Sequence, residues 1–188
     1  MTSFAVLISG RGTNLAALIK AVSDGGLNAR LAFAASDNPD APGLEFARKA
    51  AVPTAILDYG SGKEQAEDEL ACLCRTEGAE WIVLAGFMRI LSPSFVADWR
   101  GRIVNIHPSL LPAFPGRDGI GDAWRYGVKV TGVTVHLVDE GVDTGPILAQ
   151  KAVEVRPGDT LDLLRQRIQR TERRLYWKTL AALFSPRR

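Results

Sequence analysis

The sequence has 188 residues, of which 46% are hydrophobic and 23% charged, and its 23 basic and 21 acidic side chains leave a formal charge of +2. This composition is that of an ordinary globular protein with a single domain, residues 1–188, and it excludes disordered, collagen-like and coiled-coil chains. The small net charge gives no field of the kind that dominates nucleic-acid binding.

Short apolar runs alternate with amphipathic helical segments along the chain. In chain order, the pattern predicts a strand at Phe4–Ile8, a helix through Leu15–Val22, a strand at Arg30–Ala35, a helix at Leu44–Ala51, a strand at Thr54–Leu57, a helix at Glu64–Glu77, a strand at Trp81–Ala85, a helix from the cap Ser92 to Trp99, a strand at Ile103–Ile106, a helix at Gly121–Tyr126, strands at Val130–Val138 and Ile147–Val155, and a long helix capped by Thr160.

Buried strands that alternate with helices predict an α/β fold: a doubly wound, mainly parallel sheet with helices on both faces. The last two strands are close enough in sequence to run antiparallel. Ligands of such folds bind beyond the carboxyl ends of the strands. The candidate functional residues are therefore those that follow the strands.

The first strand is followed by the glycine-rich segment Ser9–Asn14. Glycines at a strand-to-helix turn let the backbone approach an anion, and the N-terminus of the helix favours negative charge. The segment is not a Walker motif, and Leu15 replaces the third glycine of a dinucleotide fingerprint. A phosphate site and a tight turn without a ligand are equally consistent with this segment alone.

Asn105 and His107 lie two residues apart at the end of a predicted strand, just before Pro108. Their side chains therefore share one face of the sheet. An asparagine amide can stabilise a developing oxyanion, and histidine suits proton transfer near neutral pH. Asp143, in a glycine-rich loop, is a third candidate because a nearby carboxylate would stabilise an imidazolium. We expect His136, in the middle of a strand, to be structural.

The remaining polar clusters predict no metal site. Cys72 and Cys74 point to different faces of a predicted helix, and the chain has only two histidines. The apolar run at the N-terminus is too short for a signal peptide or a membrane span, which favours a cytoplasmic protein. The arginines of the last helix are interpreted as a solvated face, with an anionic partner as the alternative: Arg165, Arg167, Arg170, Arg173 and Arg174.

Four segments together resemble one family: Ser9–Leu15, Leu84–Ser92, Asn105–Pro112 and Asp139–Pro146. They are similar to those of the phosphoribosylglycinamide formyltransferases, the folate-dependent enzymes of purine synthesis. The resemblance extends from about Phe4 to Tyr176. It implies a Rossmann-like formyltransferase fold and a direct transfer, in which the amine of glycinamide ribonucleotide attacks the formyl carbon of the co-substrate 10-formyltetrahydrofolate through a tetrahedral intermediate.

The resemblance also implies roles for individual residues. Asn105 would hold the oxyanion, His107 would transfer protons, and Asp143 would stabilise the imidazolium and order a water. The ribotide would bind through its phosphate to Gly12, Thr13 and Asn14 and through its ribose to Glu172, while the folate would be bound by Lys63, Met88, Arg89, Ile90, Leu91, Asn105 and Glu140, with the loop at 139–143 closing over the pteridine. No metal, nucleic-acid or membrane partner is implied, and monomer and homodimer both remain open.

The sequence departs from the family pattern in two places. Arg117–Gly121 replaces a His-Thr-His stretch that many members carry, so we expect no catalytic role there, and Lys63 stands where others have arginine. Methionyl-tRNA formyltransferase, formyltetrahydrofolate hydrolase and a non-catalytic nucleotide-binding module are the alternatives. The length of the chain argues against the first two, which normally carry a further domain.

Overall fold

The computed structural model describes residues 1–185 of the chain. In chain order, its elements are β1 (Ser3–Ile8), α1 (Thr13–Ser23), β2 (Arg30–Ser36), α2 (Leu44–Lys49), β3 (Thr54–Ile56), α3 (Lys63–Glu77), β4 (Trp81–Leu84), α4 (Pro93–Asp98), β5 (Ile103–His107), α5 (Gly119–Tyr126), β6 (Val130–Leu137), β7 (Ile147–Glu154) and α6 (Leu161–Phe184). Every predicted strand and helix is present.

The described strands form one seven-stranded sheet in the order β3-β2-β1-β4-β5-β6-β7. The pairs from β3 to β5 are parallel, whereas β6 runs antiparallel to both β5 and β7. The expected antiparallel pairing of the last two strands is confirmed. The chain moves outward from β1 in one direction and from β4 in the other, so the crevice between their carboxyl ends is a topological switch point.

The sheet separates two hydrophobic cores. On one face, Val6, Val83 and Val104 pack against α1, α2, α5 and α6, and on the other face Leu7 and Ile82 pack against α3 and α4. Strands that are buried on both faces must be apolar throughout, which explains the continuous runs in the sequence. The predicted doubly wound fold with helices on both faces is confirmed.

Local sequence signals fix several helix ends. The Ser92 hydroxyl accepts a hydrogen bond from Phe95 N at 3.2 Å, and Pro93 occupies the first helical position of α4. Thr160 caps α6 in the same way through Leu163 N at 3.3 Å. The helix α5 begins at Gly119, two residues before the predicted start, because the Asp118 side chain caps it through Gly121 N.

Candidate active site

A cavity of about 700 Å³ lies beyond the carboxyl ends of β1, β4 and β5, at the switch point of the sheet. Three segments that follow these strands line it, together with the loop between β6 and β7 and the middle of α6. The sequence predicted functional residues at strand ends, and the cavity is found there.

The first wall is the turn from β1 into α1, where Gly10, Gly12, Thr13 and Asn14 line the cavity. Gly12 adopts φ +65° at the N-cap of α1, a conformation that favours glycine. A Cβ atom at Gly12 would also lie 2.6 Å from the Cα of Gly43. The turn therefore requires glycine for two independent reasons, and it leaves the positive end of the helix dipole at the cavity.

The second wall is the segment after β4, from Gly86 to Leu91. Met88 and Ile90 are large apolar side chains with exposed fractions of 56% and 69%, whereas Leu91 is buried. Exposed apolar side chains at the mouth of a cavity are typical of a binding surface for a flat hydrophobic ligand. Arg89 of the same segment is paired with Asp37.

The floor of the cavity carries the predicted catalytic cluster. Asn105 and His107 lie on β5, and Asp143 comes from the loop after β6. Asp143 Oδ2 lies 3.3 Å from His107 Nδ1, and Asp143 Oδ1 lies 3.4 Å from Asn105 Nδ2. The structure thus brings together three residues that are up to 38 positions apart in sequence.

His107 is 4% exposed, and both nitrogens of its ring have partners. Nε2 lies 2.7 Å from the carbonyl oxygen of Phe114. A carbonyl can only accept, so Nε2 carries the proton of the neutral ring. Nδ1 is therefore the nitrogen that can gain and lose a proton, and it faces Asp143.

Asp143 is an ionised acceptor at the centre of the cluster. Burial would raise its pKa, but the hydrogen bond with His136, the Gly116 N–H at 2.8 Å and the charges of the two histidines together lower it below the usual value. Its backbone adopts φ +57°, which aspartate tolerates better than most residues. The carboxylate can therefore stabilise a positive imidazole ring beside it.

His136, which the sequence predicts to be structural, lies in contact with this cluster and lines the cavity. Its Nε2 lies 3.3 Å from Asn105 Nδ2 and 3.5 Å from Asp143 Oδ1, while its Nδ1 lies 2.8 Å from the carbonyl of Leu137. The residue pairs directly with Asn105 in the antiparallel register of β5 and β6. The contact between His136 and Asn105 could be predicted only if β6 were known to pair antiparallel with β5 in this register.

Glu172 and Gln169 line the cavity from α6. Glu172 is 9% exposed, and burial raises the pKa of its carboxyl to about 7. One turn later, the buried Tyr176 hydroxyl donates to the carbonyls of Leu84 and Val104 at 2.8 and 3.1 Å. This bond fixes α6 against the ends of β4 and β5, and so fixes the position of Glu172.

The segment Arg117–Gly121, for which no catalytic role was expected, packs against His107 through its backbone. A Cβ atom at Gly119 would lie 2.8 Å from His107 Nε2, so the start of α5 packs directly on the ring. Arg117 and Ile120 line the cavity. Motif analysis missed Gly119 and the carbonyl of Phe114, because their contribution comes from backbone position.

One residue predicted to bind the folate lies outside the cavity lining. Lys63 is exposed at the start of α3 and is not among the residues that line the cavity, whereas Glu140 lines it and lies 3.5 Å from Arg100. Arg167 of the arginine-rich face is paired with Asp159 through two bonds of 2.7 Å, which leaves it less available to an anionic partner.

Cys72 is exposed and Cys74 buried, as their spacing predicted, and both are free. Within residues 1–185, the structure shows no group of three or more residues that could hold a metal ion. No helix of that part of the chain is long and apolar enough to cross a membrane.

Comparisons with known proteins show the family of the chain. A family model described as formyl transferase matches residues 2–180. The chain is 43% identical to phosphoribosylglycinamide formyltransferase of Bacillus subtilis, over 94% of this chain and 91% of that protein. It is 46% identical to the trifunctional purine biosynthetic protein adenosine-3 of Drosophila pseudoobscura pseudoobscura, over 96% of this chain but only 14% of that longer protein.

Among solved structures, phosphoribosylglycinamide formyltransferase from Bacillus halodurans superposes with a TM-score of 0.95 and 44% identity, over 98% of this chain and 96% of that one. The family resemblance read from the motifs is confirmed. The family model, the near-complete coverage and the superposed fold show that this chain belongs to the formyl transferase family, among the phosphoribosylglycinamide formyltransferases.

Proposed function

We propose that this enzyme transfers the formyl group of 10-formyltetrahydrofolate to the amine of glycinamide ribonucleotide, a step of purine biosynthesis. The observation that supports this most directly is the position of Asn105, His107 and Asp143 on the floor of one cavity, between a glycine-rich helix start and an apolar segment. An anionic ribotide and a flat folate would meet at that floor.

The ribotide end of the cavity is assigned to the start of α1 and to Glu172. Gly12, Thr13 and Asn14 would hold the phosphate, because the N-terminus of a helix provides N–H donors and a positive dipole end. The Glu172 carboxylate would accept hydrogen bonds from the ribose hydroxyls. Burial raises the pKa of this carboxyl to about 7, and hydrogen bonds from the ribose hydroxyls would favour its ionised form.

The folate end is assigned to the segment after β4 and to the loop that carries Asp143. Met88, Ile90 and Leu91 offer apolar surface for the ring system, and Glu140 and Asp143 lie on the loop that would cover the pteridine. Arg89 would contribute positive charge at the mouth of the cavity. The role of Lys63 stays a prediction from the family resemblance alone.

The reaction needs one nucleophilic attack and one proton transfer. The amine lone pair attacks the formyl carbon, and the carbonyl electrons move to the oxygen to give a tetrahedral oxyanion. The amine then loses a proton, the oxyanion electrons re-form the carbonyl as the bond from carbon to N10 of the folate breaks, and N10 takes up a proton. Because the nucleophile is the amine itself and side chains carry the protons, the proposal assigns no step to a metal ion.

Each catalytic residue has a role that its contacts support. His107 Nδ1 would exchange the proton, since Nε2 is committed to the Phe114 carbonyl. Asp143 would hold the imidazolium and a relay water. The amide nitrogen of Asn105 now contacts His136 and Asp143, so it would exchange one of these contacts for the oxyanion when substrate binds.

The test is an assay of the purified protein with 10-formyltetrahydrofolate, with and without glycinamide ribonucleotide. We expect loss of the formyl group only with the ribotide, and a turnover roughly 100-fold or more lower in His107→Ala. Loss of formyl without an acceptor would favour a hydrolase instead. A folded protein that is inactive with both substrates would favour a binding module. A cytoplasmic location is part of the same proposal.

A further inference from the structure

Asp37 is a buried carboxylate in the loop from Asp37 to Gly43, between β2 and α2, and the function proposed above gives it no role. Only 7% of its side chain is exposed, and it is not among the residues that line the cavity. It nevertheless makes a hydrogen bond to each of the two segments that form the cavity walls. No other carboxylate of the described residues 1–185 shows this pair of contacts.

The first contact is with Ser9, the residue that follows β1 and opens the glycine-rich turn. Ser9 Oγ donates to Asp37 Oδ1 at 2.5 Å and accepts from the backbone N–H of Met88 at 2.8 Å. A carboxylate can only accept, so it directs the hydroxyl proton toward itself and leaves a lone pair for Met88. Asp37 thereby orients the hydroxyl that joins the two walls.

The second contact is with Arg89, in the apolar wall. Arg89 Nε donates to Asp37 Oδ2 at 2.6 Å, and its guanidinium carbon lies 5.2 Å from the centre of the Tyr59 ring. The arginine is thus held by an ion pair and by a cation–π contact. About half of its side chain is still exposed. Asp37 fixes the direction in which this residue leaves the segment.

The loop that carries Asp37 also supports the glycine-rich turn through its backbone. Gly43 N donates to the carbonyl of Gly10 at 3.0 Å, and Asn38 Nδ2 lies 3.5 Å from the carbonyl of Ser9. A Cβ atom at Gly43 would lie 2.7 Å from the Cα of Gly12. The turn therefore rests on this loop, so a shift of the loop displaces the turn.

We propose that Asp37 is a positioning residue that holds the ribotide wall and the folate wall in the relative arrangement required by both substrates. The inference rests on the proposed function, because that function assigns the two walls to the two substrates. A residue that touches one substrate should alter the KM of that substrate alone. Loss of Asp37 should alter both.

The test compares Asp37→Ala, Asp37→Asn and the matched control Asp40→Ala, which removes one exposed carboxylate from the same loop. Asp37→Ala should raise the KM of each substrate about tenfold or more, the effect of losing a charge-assisted hydrogen bond. Asp37→Asn keeps an acceptor for Ser9 but loses the charge that faces Arg89. It should therefore raise the folate KM more than the ribotide KM, and Asp40→Ala should change neither.

Calorimetric Kd values for each substrate, with melting curves, complete the experiment. Unchanged KM and Kd values in Asp37→Ala, or a lower melting temperature with a lower kcat alone, would overturn the proposal. If that variant does not fold, equal effects of Asp37→Asn on both substrates, or no effect, would overturn it. An inactive wild-type protein would refute the proposed function separately, while the Kd values would still decide the role of Asp37.

Discussion

The Asp143 carboxylate contacts Asn105, His107, His136 and the backbone N–H of Gly116, and its charge distinguishes it from an asparagine of the same shape. Its lowered pKa means that it is ionised throughout the neutral range. We therefore expect Asp143→Asn to move the acid limb of the pH–rate profile to lower pH, by about one unit or more. Without the carboxylate, the neighbouring imidazolium loses its counter-charge and gives up its proton more easily.

The measurement is kcat/KM between pH 5 and 9 for wild type and Asp143→Asn. The variant Asp139→Asn is a matched control, because it removes a carboxylate from the same loop. The Asp139 carboxylate accepts hydrogen bonds from Gly141 N and Thr144 Oγ1 and contacts no histidine in the part of the chain that the structure describes. An acid limb that stays in place in Asp143→Asn would show that the carboxylate and His107 are not coupled.

The pKa of Glu172 is raised, whereas that of Asp143 is lowered, and this gives a prediction about stability. Burial raises the pKa from 4.5 to about 7, so the unfolded chain ionises first as the pH rises. The free energy of unfolding should therefore fall between pH 4.5 and 7, by about 3 kcal/mol from this residue. Glu172→Gln removes the titration.

Urea unfolding at pH 4.5 and pH 8 checks this. Relative to wild type, Glu172→Gln should gain stability at pH 8 and little or none at pH 4.5, where the wild-type carboxyl is still protonated. The other titrating groups are common to both proteins and cancel in the comparison. An equal difference at the two pH values would mean that Glu172 ionises normally.

The start of α5 packs against His107, so it should affect the proposed catalysis through packing. Because a Cβ atom at Gly119 would lie 2.8 Å from His107 Nε2 and 3.1 Å from the Phe114 carbonyl, Gly119→Ala must displace the ring or the bond that fixes its tautomer. We expect kcat to fall by about 10- to 100-fold, the effect of a small misplacement of a catalytic group. The Michaelis constants should change much less.

Gly121→Ala provides the comparison within the same helix. The three atoms nearest to a Cβ atom there all belong to the Asp118 side chain, which can move at the cost of its cap on α5. This variant should lose about 1 kcal/mol of stability and keep its activity. Similar losses of kcat in both variants would show that any substitution at the start of α5 lowers activity. They would refute the prediction that the effect of Gly119→Ala comes from its contact with His107.

Features that depend on a local sequence pattern could be predicted, whereas features that depend on tertiary packing could not. The strands and the cap at Ser92 are local patterns, and Asn105 and His107 follow from alternation along one strand. His136 and Gly43 depend on a strand register and on the packing of two loops, which no single segment encodes. The folate contact of Lys63 is predicted from a family position alone, and the residue is not among those that line the cavity.

At the scale of the whole molecule, the cavity joins the two halves of the sheet. The wall proposed for the ribotide follows β1, the wall proposed for the folate follows β4, and the proposed catalytic residues lie on β5 and in the loop after β6, so each substrate would contact segments that are distant in sequence. Such contacts exist only in the folded state. Each substrate should therefore stabilise the native protein by mass action, without any change of fold.

At a concentration of 100 times its Kd, glycinamide ribonucleotide should add about 2.7 kcal/mol of stability. For a chain of this length, that corresponds to a rise in melting temperature of about 5–10 °C. Gly12→Val separates the two ends of the cavity, because a side chain there collides with Gly43 and distorts the phosphate site. The variant should lose the shift caused by the ribotide and keep the shift caused by the folate. If it loses both, the two ends form a single site that cannot be divided in this way.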